Sequence, residues 1–206
     1  MKQKYILFPI IFLGFILLDC AGTQQDSIDN TQNVEFLIEQ GELFWQQRSD
    51  SLTLKKAEHF ISLACQQRPD QFDIAILYAQ ILYTRGLFFE KDGETQNSLF
   101  LQASQLCQDA VLNHQDFSVI YNNAQGDSTY KMLTAFAEVP ISVVPGLFWW
   151  ATNLARYLNT RPVIERLNHR EILEVLMHRT LSLEPGFYYS GPYRFFGSLY
   201  TRIPGI

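Results

Sequence analysis

Apolar residues recur three and four positions apart along most of this chain, and strand-like alternation is almost absent. That spacing gathers apolar side chains on one side of a 3.6-residue helix. It predicts helices over 34–47, 52–67, 72–90 and 97–113, the first offering Phe36, Leu37, Leu43, Phe44 and Trp45 for burial. Ser51 or Thr53 is expected to cap the second. Asp92, Gly93 and Glu94 are expected to turn the chain between the third and fourth. The pattern breaks over 116–158, where Pro140, Pro145 and Gly146 fall close together. The short apolar run 139–144 reads as a connector packed on the core. Helix resumes over 147–159, with Phe148, Trp149, Ala151, Thr152, Ala155 and Leu158 expected on its buried side.

The helices share an internal grammar. Ala57, Ile61, Ala64 and Pro69 stand at gaps of 4, 3 and 5. A small residue lets a paired helix approach, a large one fills the seam, a second small one follows, and proline opens the next unit. Ala103, Cys107 and Ala110 repeat the order, with Gln115 where proline would stand. Leu173, Met177, Thr180 and Pro185 give it a third time. Ala75 and Ala79 are small where the next helix should face its predecessor. This is the pattern of a tetratricopeptide-like array, whose ordinary period is about 34 residues. Here Ala57 and Ala103 are 46 residues apart, and Ala103 and Leu173 are 70 apart, so the units read as enlarged. Stacked helix pairs leave a concave face or a channel.

The two ends of the chain differ from this body. Lys2 and Lys4 precede a 14-residue, almost wholly apolar run ending at Leu18, which is shorter than the roughly 20 residues of a membrane span. It fits a secretory signal over 1–19. Leu17-Leu18-Asp19-Cys20 resembles the bacterial lipobox, with Cys20 as the lipidated residue and Asp19 departing from the usual small residue. The polar stretch 20–33 reads as a flexible tether. The expected location is the bacterial cell envelope, lipid-anchored and facing the periplasm. The lack of Asp at position 21 points toward the outer membrane. Sixteen basic and 21 acidic residues, less Lys2, Lys4 and Asp19, leave a formal charge of −6. That balance argues against nucleic acid or an anionic membrane surface as partner. Membrane contact is expected through the lipid alone. An oxidising exported compartment permits a disulfide between Cys65 and Cys107, but both fall at apolar helix positions and read rather as buried free thiols.

No catalytic constellation stands out. His59, His114, His169 and His178 lack metal-ligand spacing, and no phosphate loop or nucleophile elbow occurs. Neither enzyme activity nor a cofactor is expected. The informative polar residues lie elsewhere. Trp149, Asn153 and Arg156 are at i, i+4 and i+7, and so share a helix face. That face suits a polar channel or a site for an anionic group. It suits equally a structural arrangement in which Arg156 pairs with a core carboxylate and Asn153 caps a loop.

Two segments carry a resemblance to a known family. One is "LFWWATNLARYL" at 147–158. The other is "FYYSGPYRFFGSLYTRIP" at 187–204, which sets out Gly191, Pro192, Tyr193, Arg194, Gly197, Tyr200 and Pro204. Together they resemble the signature segments of the TatT family, periplasmic lipoprotein T-components associated with tripartite ATP-independent periplasmic (TRAP) transporters. The resemblance implies an all-α, tetratricopeptide-like domain over 34–206 with a pore or cavity in each subunit. It implies trimers in at least some members. It also implies a partner, the TRAP substrate-binding component, and an apolar carboxylate as ligand. Trp149, Asn153, Arg156, Arg194 and Tyr200 would then line the site. Gly191-Pro192 would start a helix, and Gly197 would allow close approach. Family members continue past the proline matching Pro204, so the domain reads as incomplete at its C-terminus. The other readings are a generic helical-repeat scaffold lipoprotein, whose groove binds protein only, and a fragment without function.

Overall fold

The computed structural model describes residues 19–202, with side chains described over 33–201. The signal segment 1–18 and Pro204 lie outside the described residues, as does the side chain of Cys20. Within them the chain is all-α, with no strand.

The helices are α1 (Asp19–Gln46), α2 (Ser51–Gln67), α3 (Phe72–Phe88), α4 (Gly93–Asn113), α5 (Gln115–Asn123) and α6 (Ser128–Glu138). A 3-10 turn (Ile141–Val143) leads into α7 (Val144–Leu158), followed by α8 (Val163–Asn168), α9 (Arg170–Leu183) and α10 (Phe187–Arg202). The segment 20–33, expected as a flexible tether, is helical backbone within α1. It holds one glycine and no proline, so nothing in it stops a helix seeded by the packed part of α1.

Two caps differ from expectation. Asp50, not Ser51 or Thr53, caps α2, its Oδ2 accepting from Thr53 N at 2.9 Å. Asp92 caps α4 through Thr95 N at 2.8 Å, so the helix begins at Gly93 where a turn was expected. In both places a short carboxylate satisfies a backbone donor that the first turn leaves open. The connector behaves as expected from its composition: Val139, Val143 and Val144 are buried, while Ile141 and Ser142 project to solvent. Pro145 then sits in the first turn of α7, where its missing N–H costs little.

Packing runs in series. The pairs α1/α2, α2/α3 and α3/α4 are in contact, α4 leans on α7, α7 on α9, and α9 on α10. The small-residue grammar falls at these seams. Ala57, Ile61, Ala64, Ala75, Ala79, Ala103, Cys107, Leu173, Met177 and Thr180 are all buried. Gly86 in α3 lets the Phe100 ring of α4 approach to 3.1 Å of where a Cβ would stand.

Helix α7 is the hub, touching α3, α4, α9 and α10. It is buried nearly all round, including Trp149, Trp150, Phe148, Leu147 and Leu154. A one-sided apolar stripe, as expected for 147–159, is therefore too narrow a description. Among the described residues no single helix is long and apolar enough to cross a membrane. The pair formed by α6 and 141–158 passes by composition but bends by 98°, and its second half is this core helix.

Candidate functional site

A cavity of about 430 Å³ opens between α3, α7, α8, α9 and α10. That volume is within the range of roughly 300–1,000 Å³ typical of small-molecule sites. Helix α7 and its C-cap supply one wall through Phe148, Trp149, Thr152, Ala155, Arg156 and the capping Asn159, positions that recur at helical spacing. Helix α3 adds Tyr83, Leu87 and Phe88, α8 adds Arg166, and α10 adds Arg194, Phe195 and Leu199.

Aromatic rings form the deep wall. Trp149 meets Tyr83 edge-on at 5.3 Å between centroids, Phe148 at 5.3 Å and Tyr188 at 4.8 Å. Such edge-to-face contacts place positive ring edges against negative faces and hold the cluster in register.

Three guanidinium groups, Arg156, Arg166 and Arg194, line the same space, and no Asp or Glu does. Arg156 Nη2 reaches the Tyr83 hydroxyl at 3.4 Å, with the guanidinium carbon 5.8 Å from the Tyr83 ring centre. No carboxylate forms an ion pair with Arg156 among the described residues, in contrast to the structural alternative weighed from the sequence. The Thr152 hydroxyl oxygen is buried and lacks a hydrogen-bond partner. Burial pushes the Tyr188 phenol above its ordinary range; Arg48 and Arg194 pull it back, while Tyr83 and Tyr189 push it further.

The residues singled out from the sequence divide. Trp149, Arg156, Gly191 and Arg194 come together at the cavity. Asn153 does not line it. Its side chain is fully buried beside the cavity stripe, with Nδ2 donating to Trp149 O at 2.8 Å and Oδ1 unpartnered. It neither faces a channel nor caps a loop. Tyr200 is also outside the lining and stacks on Phe196 at 5.7 Å. Gly197 has open space where a Cβ would go, so it marks no close approach. In α10 the close approach is at Gly191, whose Cβ would meet the Phe148 ring. Pro192 follows it, buried at the entry of the regular part of α10.

The entry to α10 is unusual. Tyr188, Tyr189 and Ser190 have φ of 44°, 60° and 58°, three successive side-chain-bearing residues in the left-handed region. Each such residue costs roughly 1–2 kcal/mol. The turn is held by Ser190 N donating to Gly186 O at 3.1 Å and by Arg194 Nη2 donating to Tyr188 O at 2.7 Å.

Sequence reasoning missed Tyr83, Phe88, Arg166 and Tyr188 as site residues. The first three reach the cavity from α3 and α8, and no local spacing announces that. Among the described residues no three His, Cys, Asp or Glu side chains gather into a metal site. No protein-family model matches the chain, and no curated protein is significantly similar to it.

Proposed function

We propose that this chain is a lipid-anchored helical-repeat protein of the bacterial envelope. It takes a small organic anion with an apolar body into the cavity between α3, α7 and α10. In this reading Arg156 and Arg194 hold the anionic group, and Trp149, Tyr83 and Phe148 enclose the body. The carrying observation is a cavity that holds three guanidinium groups, aromatic walls and no carboxylate. Arg156 is half-buried and Arg194 exposed, each bonded only to a neutral oxygen, and an anion between them gains charge-assisted hydrogen bonds from both.

The resemblance to the TatT family supports a place for this site. The protein would work beside the substrate-binding component of a TRAP-type uptake system, as a homotrimer if it follows those members. The buried small residues at the helix seams support a tetratricopeptide-like stacking of its pairs. A scaffold that binds protein alone is the second reading. It is favoured by the exposed aromatic row Tyr189, Tyr193 and Tyr200 on α10.

Native mass spectrometry of gently purified protein separates the two. The ligand reading expects a non-covalent small-molecule adduct that is lost in the Arg156→Gln, Arg194→Gln double variant. A bare chain mass under all conditions, together with a co-purifying protein partner, would favour the scaffold.

A further inference from the structure

We propose that Tyr188, Tyr189 and Ser190 form a strained strap across the cavity mouth, and that Arg194 is its latch. The inference rests on the binding reading of this cavity and adds its regulation.

Tyr188 lines the cavity and packs on Trp149 and Phe148, yet is 43% exposed, so its ring separates solvent from the interior. Both ends of the strap are pinned. On one side Phe187 N donates to Glu184 O at 2.9 Å. On the other Gly191 lies flush on the Phe148 ring. The left-handed backbone is confined to the three residues between. Tyr189, 86% exposed, contributes little packing to hold its own φ of 60°. Two restraints remain, the bond from Ser190 N to Gly186 O and Arg194, whose Nη2 holds the Tyr188 carbonyl while the same side chain lines the cavity.

Those two positions compete. A carboxylate offers the guanidinium a full opposite charge and two acceptor oxygens in a bidentate fork, whereas the Tyr188 carbonyl offers one neutral acceptor. An anion arriving in the cavity draws Arg194 from the Tyr188 carbonyl, and the strap relaxes toward right-handed or extended backbone. Entry of the anionic ligand therefore unlatches the mouth, and a neutral molecule of the same shape does not.

Hydrogen exchange read by mass spectrometry over 187–193 tests this, with the Ser190 amide as the reporting bond and α4 amides as the control for intact fold. Without ligand, Arg194→Gln is expected to exchange in the strap about ten to a hundred times faster than wild type, the factor set by losing one charge-assisted bond. Tyr189→Gly is expected to slow it about tenfold, because glycine adopts positive φ without the penalty. In wild type, 1-naphthoate should quicken strap exchange and 1-naphthol should not. Strap exchange that is identical in wild type and Arg194→Gln would overturn the latch. So would naphthoate that binds by calorimetry and leaves strap exchange unchanged. If naphthoate fails to bind at all, the binding reading falls, and the ligand-free comparison still decides the strap.

Discussion

A Cβ placed on Gly191 would stand 2.5 Å from Cε2 and 2.6 Å from Cζ of Phe148. The start of α10 thus rests directly on the aromatic cluster of α7, with no room for a methyl group. Gly191→Ala is expected to lower stability by about 1–3 kcal/mol, the usual cost of overpacking a tight core. Gly197→Ala, with nothing within 4 Å, is expected to be neutral or to stabilise by up to about 1 kcal/mol. Urea denaturation of both variants checks the contrast. Equal effects would mean that α10 does not seat as described.

Arg179 ties α9 to the connector. Its Nε and Nη2 donate to the Val139 carbonyl at 2.9 and 2.6 Å. The turn that follows bonds Val143 N to the Pro140 carbonyl, so the Val139 carbonyl depends on the guanidinium. Arg179→Met keeps the apolar stem and removes the bonds. It is expected to cost about 1.5–3 kcal/mol and to raise hydrogen exchange over 139–144 while leaving α2 and α3 protected.

Burial pushes the Cys65 and Cys107 thiols above their ordinary value of 9.0, Cys107 the further. The sign of the pH effect follows. Above pH 9.0 the unfolded chain gives up these protons and the folded chain keeps them. Stability from this source is complete below that pH and falls as pH rises past it, by up to about 1.4 kcal/mol per pH unit per thiol. Urea midpoints from pH 7 to pH 10.5 should show the decline, and Cys107→Ala should flatten it. The same slope in both proteins would place the loss elsewhere, in groups such as the Tyr78 and Tyr188 phenols, which burial also raises.

The all-helical architecture was legible because apolar spacing is a local property, and so were the seam residues Ala57, Ala103 and Met177. The caps were legible in kind and misplaced by a residue or more, since Asp50, Ser51 and Thr53 are all chemically able to cap. The cavity was half legible. Its α7 and α10 residues stand in two conspicuous segments. Which side of α7 faces the cavity was not legible, because neighbours surround that helix on nearly every side. Asn153 consequently went into the core while Thr152, one position earlier, lines the space. Tyr83 and Arg166 arrive from α3 and α8, and only tertiary packing brings them there. The left-handed run at Tyr188–Ser190 contradicts local propensity and was not legible, whereas the start of regular helix at Gly191-Pro192 was.

Calorimetric titration with 1-naphthoate and 1-naphthol tests the central claim most directly, since the pair differs in the anionic group on one aromatic body. Wild-type protein is expected to bind one naphthoate per chain and naphthol at least about tenfold more weakly. Arg156→Gln should weaken naphthoate by a similar factor, and Tyr200→Phe should leave it unchanged. No heat with naphthoate, or equal binding of both compounds that ignores Arg156→Gln, would contradict the account of this cavity as an anion site.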